Sequence, residues 1–460
     1  MPQNERTRRL ASESLPKLIA SFAVPAIIAM LVAAAYNIAD QIFIGNSVGY
    51  LGNAATNVAY PLSTICLSYG LLIGVGSASN FSLKLGAGKK EEACQIIANG
   101  AFYLIAGGLL LTLVVLCFLD PMLRAFGATE NVLPYAKTYT SITSLGFPAF
   151  IITLGGAHIV RADGSPTFAM IISITGAVLN IGLDALFIFG FGMGIAGAAW
   201  ATITGQFVSA GMIIWYLFHF KTMRLKPSMW KPKLNLLGVI ASLGVAACFN
   251  QLAMTAVQIV LNNSVTHYGA MSEYGADIPL AVVGIITKIN SIFISFVVGT
   301  AQGCQPIFGY NYGAKNYERV QGTLKIAVGM VVVIGCVFEL AFQIFPNQIT
   351  SIFGTGDAEY FRFAERFFRI YMMMTFLNGF QPLTSNFFSS IGKAKMGIFI
   401  SLTRQVIFLI PLLLLLPISF GIDGILYAGP VADFVAAALC VWLLVREYRR
   451  LGKMSAELAS

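Results

Sequence analysis

Four oxygen-bearing side chains lie inside long apolar stretches of the chain, where polar groups are costly. Asp40 and Asp184 are carboxylates, and Asn180 lies one helical turn before Asp184. Thr202 lies early in the next apolar stretch. Oxygen ligands suit a hard monovalent cation such as Na⁺, and two adjacent buried carboxylates bind a proton because both do not stay ionised. We interpret Asp40, Asn180, Asp184 and Thr202 as a site for H⁺ or Na⁺.

A structural role is the alternative for the same residues. Asp40 and Asp184 would then be hydrogen-bonded packing anchors, and a threonine in a membrane helix commonly bonds its own backbone. A charged group at mid-membrane costs about 2.5–3.5 kcal/mol on insertion scales, so such residues are rare unless they have a function. This cost favours the ion-binding interpretation.

The composition predicts that a lipid bilayer surrounds these stretches. Hydrophobic residues make up 57% of the 460 residues and charged residues only 11%, against roughly 25% charged residues in a soluble domain. The net charge is +9, and the basic residues cluster between apolar stretches. This pattern predicts contact with a membrane surface rather than with nucleic acid.

Twelve apolar stretches have the length of a membrane-spanning helix, about 20 residues. They are predicted at 17–44, 54–82, 94–118, 134–160, 166–190, 196–219, 238–265, 279–308, 320–345, 359–389, 395–419 and 422–447. The longest polar connection between them is basic. The predicted organisation is therefore an N-terminal six-helix lobe (1–220), a cytoplasmic linker (221–237) and a C-terminal six-helix lobe (238–460).

The distribution of Lys and Arg predicts the orientation. Basic residues recur in alternate loops, in the linker and at both termini, so both termini are expected in the cytoplasm of a multi-pass protein of the plasma or inner membrane. Arg362, Arg366 and Arg369 break the pattern at the start of the tenth stretch. We expect them on an amphipathic turn at the outer face.

The two halves repeat. Gly86-Ala87-Gly88 returns as Gly313-Ala314-Lys315, and Gly194-Ile195-Ala196-Gly197 returns as Gly421-Ile422-Asp423-Gly424. The offset is 313 − 86 = 227 for the first pair and 421 − 194 = 227 for the second. Because each half has six spans, the repeat is parallel, about an axis along the membrane normal. Two such bundles would enclose a cleft that rocking exposes to either side.

The C-terminal half carries charges of both signs within its spans, namely Lys288, Glu339, Arg404 and Asp433. Two cations and two anions favour compensated pairs that hold the bundle together. A role in the substrate path is the alternative. Because the seventh span has no carboxylate to match Asp40, ion coupling is expected in the N-terminal half.

Five further side chains are candidates for substrate contacts in the cleft, although ordinary contact with lipid or core is the favoured interpretation for the methionine. They are Tyr36, Asn37, Met193, Gln206 and Gln305. The chain has no phosphate-binding loop, no nucleophile–base constellation and no Cys-x-x-Cys pair. We therefore expect no enzymatic activity, no ATP hydrolysis and no cofactor beyond the coupling ion.

Several motifs resemble those of the multidrug and toxic compound extrusion (MATE) family, over essentially the whole chain. They are Tyr36-Asn37-Ile38-Ala39-Asp40, Asn180-Ile181-Gly182-Leu183-Asp184, Gly194-Ile195-Ala196-Gly197-Ala198-Ala199-Trp200-Ala201-Thr202, and Gly303-Cys304-Gln305-Pro306 leading to Gly309-Tyr310-Asn311-Tyr312-Gly313-Ala314. The resemblance is to the DinF/MepA-like branch. It implies a V-shaped all-α fold of two six-helix bundles and a cation site at Asp40, Asn180, Asp184 and Thr202.

The resemblance also implies a function, namely antiport of cationic or amphipathic drugs against H⁺ or Na⁺ by a monomer in the bilayer. A lipid-linked saccharide flippase of related architecture is the alternative. Such a flippase should line its cleft with cations that bind a pyrophosphate headgroup, and the spans of the N-terminal half carry almost none.

Overall fold

Helices account for all the regular structure in the part of the chain that is described. A computed structural model describes residues 3–48, 50–275, 277–353 and 358–459. The N-terminal bundle consists of α1 (Gln3–Ser12), α2 (Leu15–Val48), α3 (Tyr50–Gly86), α4 (Lys90–Cys117), α5 (Leu119–Ala125), α6 (Leu133–Leu145), α7 (Phe147–Ala162), α8 (Pro166–Asp184) and α9 (Gly194–Phe218). The C-terminal bundle consists of α10 (Leu234–Ala270), α11 (Asp277–Gly313), α12 (Tyr317–Ile344), α13 (Pro346–Phe353), α14 (Ala358–Tyr371), α15 (Thr375–Asn378), α16 (Phe380–Ser390), α17 (Ala394–Leu402), α18 (Ile410–Phe420) and α19 (Ile422–Ala459).

The crossings follow the predicted apolar stretches, with one difference in the C-terminal bundle. Among the described residues, ten helices or continuous helical segments are long and apolar enough to cross a membrane, and α6 with α7, bent by 55°, makes an eleventh crossing. The predicted span 359–389 is divided into α14, α15 and α16. The expected amphipathic turn is a complete helix, α14, which buries Phe363 and Phe367 and pairs Arg366 with Asp423 at 2.7 Å.

Two crossings contain π-helical turns beside charged residues. One turn, Ala185–Gly190, directly follows Asp184 at the end of α8. The other, Thr403–Leu409, contains Arg404 and joins α17 to α18. A π turn inserts an extra residue into the helix and redirects the side chains around it, and such turns often occur at functional sites.

The two bundles pack together at the end of the molecule that carries the linker, here called the linker end. Gly303 and Gly299 of α11 face the α2 backbone, where a Cβ atom on Gly303 would lie 2.5 Å from the Ala23 Cα. Polar side chains join α3 to the C-terminal bundle: Asn80 Nδ2 donates to the Val239 carbonyl of α10 at 3.0 Å, and Gln305 Nε2 of α11 donates to Ser79 Oγ at 2.9 Å. Close helix approach at glycine therefore joins the bundles.

The hydrophobic core is V-shaped, continuous at the linker end and divided at the opposite end. One large buried cluster runs through both bundles at the linker end and includes Phe81, Phe308 and Leu451. Towards the opposite end the buried clusters separate, one around Phe363 in the C-terminal bundle and smaller ones around Leu133 and Ile44 in the N-terminal bundle. The bundles are thus fused at the linker end and diverge at the other, which we call the cleft end.

Candidate functional site

Helix α2 presents different faces to the two bundles. Ile27 lies against Gly299 of the C-terminal bundle. Asp40 follows Ile27 by 13 residues, which at 3.6 residues per turn places it about 220° around the helix. Asp40 and Tyr36, one turn apart, therefore face the interior of the N-terminal bundle, where α2 packs on α8.

The carboxyl groups of Asp40 and Asp184 meet at this contact, within hydrogen-bonding reach of each other. Asp184 is fully buried and Asp40 is half-buried. Oδ1 of Asp40 and both carboxyl oxygens of Asp184 are buried and accept no hydrogen bond from any described residue. Two carboxylates with neither a cation nor a donor beside them are unfavourable in such a place. The arrangement therefore calls for a proton or a metal cation between them.

The amide and the hydroxyl predicted at the site lie together on the neighbouring helices. Asn180, one turn before Asp184 on α8, donates from Nδ2 to Thr202 Oγ1 of α9 at 3.2 Å. The Asn180 Oδ1 atom is buried and has no donor among the described residues. Orienting the NH₂ group towards Thr202 leaves this oxygen free as a ligand. The oxygen set fits Na⁺ as well as a proton, because it offers negative charge and neutral oxygens.

An apolar layer covers the site on the cleft-end side. Ile44, Ile188 and Ala198 are buried and form one cluster. Each lies one turn beyond a site residue: Ile44 follows Asp40 by four, Ile188 follows Asp184 by four, and Ala198 precedes Thr202 by four. The layer keeps bulk water from the carboxyl groups on this side, which strengthens the electrostatic interactions of any bound cation.

Tyr139 of α6 belongs to the site although the sequence did not point to it. Both Tyr139 and Tyr36 lie within electrostatic range of Asp40 and Asp184. Tyr139 also packs against this apolar layer. A tyrosine in the α6 segment carries no sequence signal for this position, because the bend between α6 and α7 determines which way α6 faces.

The five candidates for substrate contacts are scattered. Tyr36 lies by the carboxyl groups, Asn37 is exposed and donates to the Ala33 carbonyl at 2.8 Å, and Met193 is 39% exposed just before α9. Gln206 points towards Gly146 at the α6–α7 bend, and Gln305 is buried between the bundles at Ser79. A common substrate pocket formed by these five stays a prediction.

The intramembrane charges of the C-terminal bundle are largely compensated. Arg404 Nε donates to Asp433 Oδ1 at 2.5 Å; the Asp433 side chain is buried and the Arg404 side chain is only 11% exposed. Glu339 accepts the backbone N–H of Thr375 at 3.0 Å, at the first residue of α15, and a bond from Gln343 at 2.9 Å. The predicted compensation is confirmed for Arg404 with Asp433. Lys288 is exposed and does not pair with Glu339, which has backbone and amide donors instead.

Comparisons with known proteins agree on one family. A family model described as MatE matches residues 25–186 and 246–415. The multidrug export protein MepA of Staphylococcus aureus (strain MSSA476) is 26% identical over 432 residues, which are 93% of this chain and 94% of MepA.

Solved structures give the same result for the fold. The MATE multidrug transporter DinF-BH, solved in complex with R6G, is 34% identical with a TM-score of 0.88 and covers 96% of this chain and 98% of its own. An outward-facing multidrug resistance MATE transporter of the MOP superfamily has a TM-score of 0.90 at 23% identity and covers 97% of this chain and 98% of its own.

Proposed function

This chain belongs to the MatE family, and we propose from that premise that it is a secondary active multidrug efflux transporter rather than an enzyme. It exports cationic or amphipathic organic compounds in exchange for H⁺ or Na⁺. It acts as a monomer in the plasma or inner membrane, with both termini in the cytoplasm. The relatives named for multidrug export support the drug-efflux part of this proposal.

The observation that carries the coupling part is the carboxyl pair of Asp40 and Asp184. Their buried oxygens have no donor among the described residues, and Asn180 offers a further free oxygen. A single H⁺ or Na⁺ between the carboxyl groups removes most of the repulsion. The occupied and empty forms of the site therefore differ in energy, which is the requirement for an ion to change a conformational equilibrium.

Helix α2 transmits this change to the cleft. Its inner face carries Asp40, and its opposite face carries Ile27 against α11. Pro25 lies between Ala23 and Ile27 and removes one helix hydrogen bond at that contact. Binding of the cation changes the bend of α2 at Pro25. This change alters the wall of the cleft, so that drug is released outward.

The proposal is tested with drug efflux in everted membrane vesicles, with Na⁺ and H⁺ gradients imposed separately. Asp40→Asn replaces the ionisable carboxyl group by an amide of nearly the same size. The change should abolish exchange while the protein stays folded. Asp277→Asn makes the same substitution at an exposed position at the start of α11 and should export like the wild type. Normal export by Asp40→Asn would overturn the proposed site, and export by neither gradient would overturn antiport.

A further inference from the structure

One face of α11 changes its surroundings along its length. Gly299 and Gly303 lie on this face and are buried against α2. Lys288 precedes Gly299 by 11 residues, about three turns, which places it within about 20° of the same face. At Lys288 the side chain is exposed. The face that is covered by α2 at the linker end is therefore open at Lys288, which projects into the cleft between the bundles.

Lys288 carries a charge that no other described residue neutralises. It lies 11 residues from Asp277 at the helix start, about 16 Å along the helix axis. It takes part in none of the ion pairs among the described residues, whereas Arg404 within another span has Asp433. Asp40 and Asp184 point away from the cleft, into the N-terminal bundle. An unpaired ammonium at this depth requires a water-filled cleft or an anionic ligand.

A row of polar residues on α10 continues the wall beside Lys288. Gly244 faces Leu72 of α3 at the linker end. Gln251, Thr255, Gln258 and Asn262 follow Gly244 by 7, 11, 14 and 18 residues, which places all four within about 40° of its direction. All four are half-buried. The α10 face that contacts α3 at the linker end is therefore polar where the bundles diverge.

Hydrogen bonds join this row to α11 beside the lysine. Gln258 Nε2 donates to Asn262 Oδ1 at 2.8 Å, and Thr287 Oγ1 lies 3.4 Å from Gln258 Oε1. Thr287 precedes Lys288 directly. The amides are thus held in place by neighbours within the C-terminal bundle, and they present a fixed set of donors and acceptors next to the ammonium.

The faces of α3 and α2 opposite this row carry mainly apolar side chains, and the exposed Asn37 and Asn57 lie beside these faces. On α3, Ile65, Pro61 and Ala54 lie 7, 11 and 18 residues from Leu72, on the face that meets α10 at the linker end. On α2, Ala34 and Ile38 continue the face of Ile27. A molecule in the cleft therefore meets hydrocarbon on one side and amides, hydroxyls and a cation on the other.

We propose that this cleft binds amphipathic substrates that carry a carboxylate, with the carboxylate on Lys288 and the apolar body against α2 and α3. The inference rests on the proposed drug-export function and narrows its substrate class. Lys288 disfavours binding of compounds that would place only a positive charge next to its ammonium group. Gln258 and Asn262 bind the neutral polar groups beside the carboxylate.

The test compares two dyes that differ only in this group. Rhodamine 6G is an ethyl ester and a cation, and its free acid has the same ring system with a carboxylate. Binding of each dye to the full-length protein in phosphatidylcholine nanodiscs is measured by fluorescence anisotropy. The variants are Lys288→Gln, Lys288→Arg and, as a matched control, Lys325→Gln at an exposed position on α12.

Loss of one charge-assisted contact should weaken binding of the acid to Lys288→Gln by about tenfold. The ester should bind within about twofold of the wild type or more tightly. Lys288→Arg should keep most of the affinity for the acid, and Lys325→Gln should match the wild type for both dyes. Equal effects of Lys288→Gln on acid and ester would overturn the inference, as would unchanged binding of the acid.

These outcomes are independent of the ion-coupling test, because binding is measured without a gradient. If vesicles transport both dyes and Lys288→Gln affects the two dyes equally, the inference is rejected and the proposed function is kept. Selective loss of acid binding in Lys288→Gln, together with export under neither gradient, would keep the binding site and reject antiport.

Discussion

The two bundles share an architecture but treat buried charge in opposite ways. In the N-terminal bundle, Asp40 and Asp184 place two carboxyl groups together, and three of their four oxygens are buried with no hydrogen-bond partner among the described residues. In the C-terminal bundle, Arg404 and Asp433 form a buried ion pair at 2.5 Å. The C-terminal bundle thus supplies a cation of its own, and under the proposed function the N-terminal bundle takes one from solution. Among the described residues, this contrast favours the N-terminal bundle as the place for the proposed exchangeable ion.

The repeat locates the positions where the bundles diverge. Gly164 in the loop before α8 returns as Gly392, an offset of 392 − 164 = 228, and with this offset Asp184 corresponds to Leu412 and Asn180 corresponds to Phe408. Both C-terminal residues pack on the hydrophobic core. The same backbone position thus carries a polar side chain of the candidate site in one bundle and a packing residue in the other, so the shared fold does not by itself determine the function of the site.

The largest effect on stability is expected for Asp433→Asn. This change leaves the Arg404 guanidinium buried without its carboxylate, which costs about 3–5 kcal/mol of the free energy of unfolding. The measurement is denaturant unfolding in mixed micelles. The double change Arg404→Met with Asp433→Leu should recover most of the loss, because it removes both charges. A stable Asp433→Asn that no longer exports drug would place this pair in the substrate path instead.

The corresponding change in the N-terminal bundle, Asp184→Asn, should affect transport and not stability. It removes one of two like charges, so the free energy of unfolding should stay the same or rise. Drug exchange should fall by about a hundredfold, equivalent to about 2.7 kcal/mol. Unfolding in the same micelles and efflux from vesicles are compared for one preparation. A marked loss of stability would support the packing-anchor interpretation.

Gly303→Val tests whether the close contact between α11 and α2 joins the bundles. The valine side chain would collide with α2 at Ala23, which should destabilise closure of the linker end by about 1–3 kcal/mol. Cys304 is fully buried at that contact, so it serves as the reporter in a variant that lacks the other cysteines. Its modification by a membrane-impermeant maleimide should become faster by about tenfold.

The control for this variant lies on the neighbouring helix. Gly329 of α12 faces open space, so Gly329→Val adds the same side chain without a collision and should leave Cys304 protected. Equal reactivity of Cys304 in both variants would show that the glycine contact does not hold the linker end closed.

The smallest effect is expected for Thr202→Val. The change removes the acceptor for Asn180 Nδ2 and should weaken cation binding by about three- to tenfold, since one neutral hydrogen bond contributes about 0.5–1.5 kcal/mol. The ion concentration that half-saturates exchange measures the effect. Thr202→Ser keeps the hydroxyl and should restore affinity. Failure of the serine variant to do so would mean that Thr202 contributes packing rather than an oxygen.

Much of the fold could be predicted from apolar length and charge. The seventh and eighth spans were predicted at 238–265 and 279–308, and the helices run Leu234–Ala270 and Asp277–Gly313. The helices are longer than the predicted spans because the thickness of the hydrocarbon layer limits the length of the apolar stretch, whereas the helix can continue beyond that layer. The tenth crossing could not be predicted as three helices, because α15 begins where Glu339, on α12, accepts the Thr375 N–H.

The candidate site was also predicted only in part, because contacts between separate helices cannot be read from local sequence. Asn180 and Asp184 share a helix, so their spacing alone places them on one face. Asp40 and Thr202 lie on other spans and were assigned to the site from their oxygen-bearing side chains within apolar stretches. Tyr139 and the exposure of Lys288 could not be found in this way, since both depend on how far a helix is rotated against helices distant in sequence.

The sequence by itself determined that the chain lies in a bilayer, that its halves repeat, and which few residues carry charge into the spans. Those features follow from composition and from local periodicity, which each segment carries alone. Only the tertiary structure decided which charges are neutralised: Arg404 has Asp433 as a partner, and Asp40 faces Asp184. Coulombic energy depends on distances of a few ångströms between separate helices, and packing alone sets those distances.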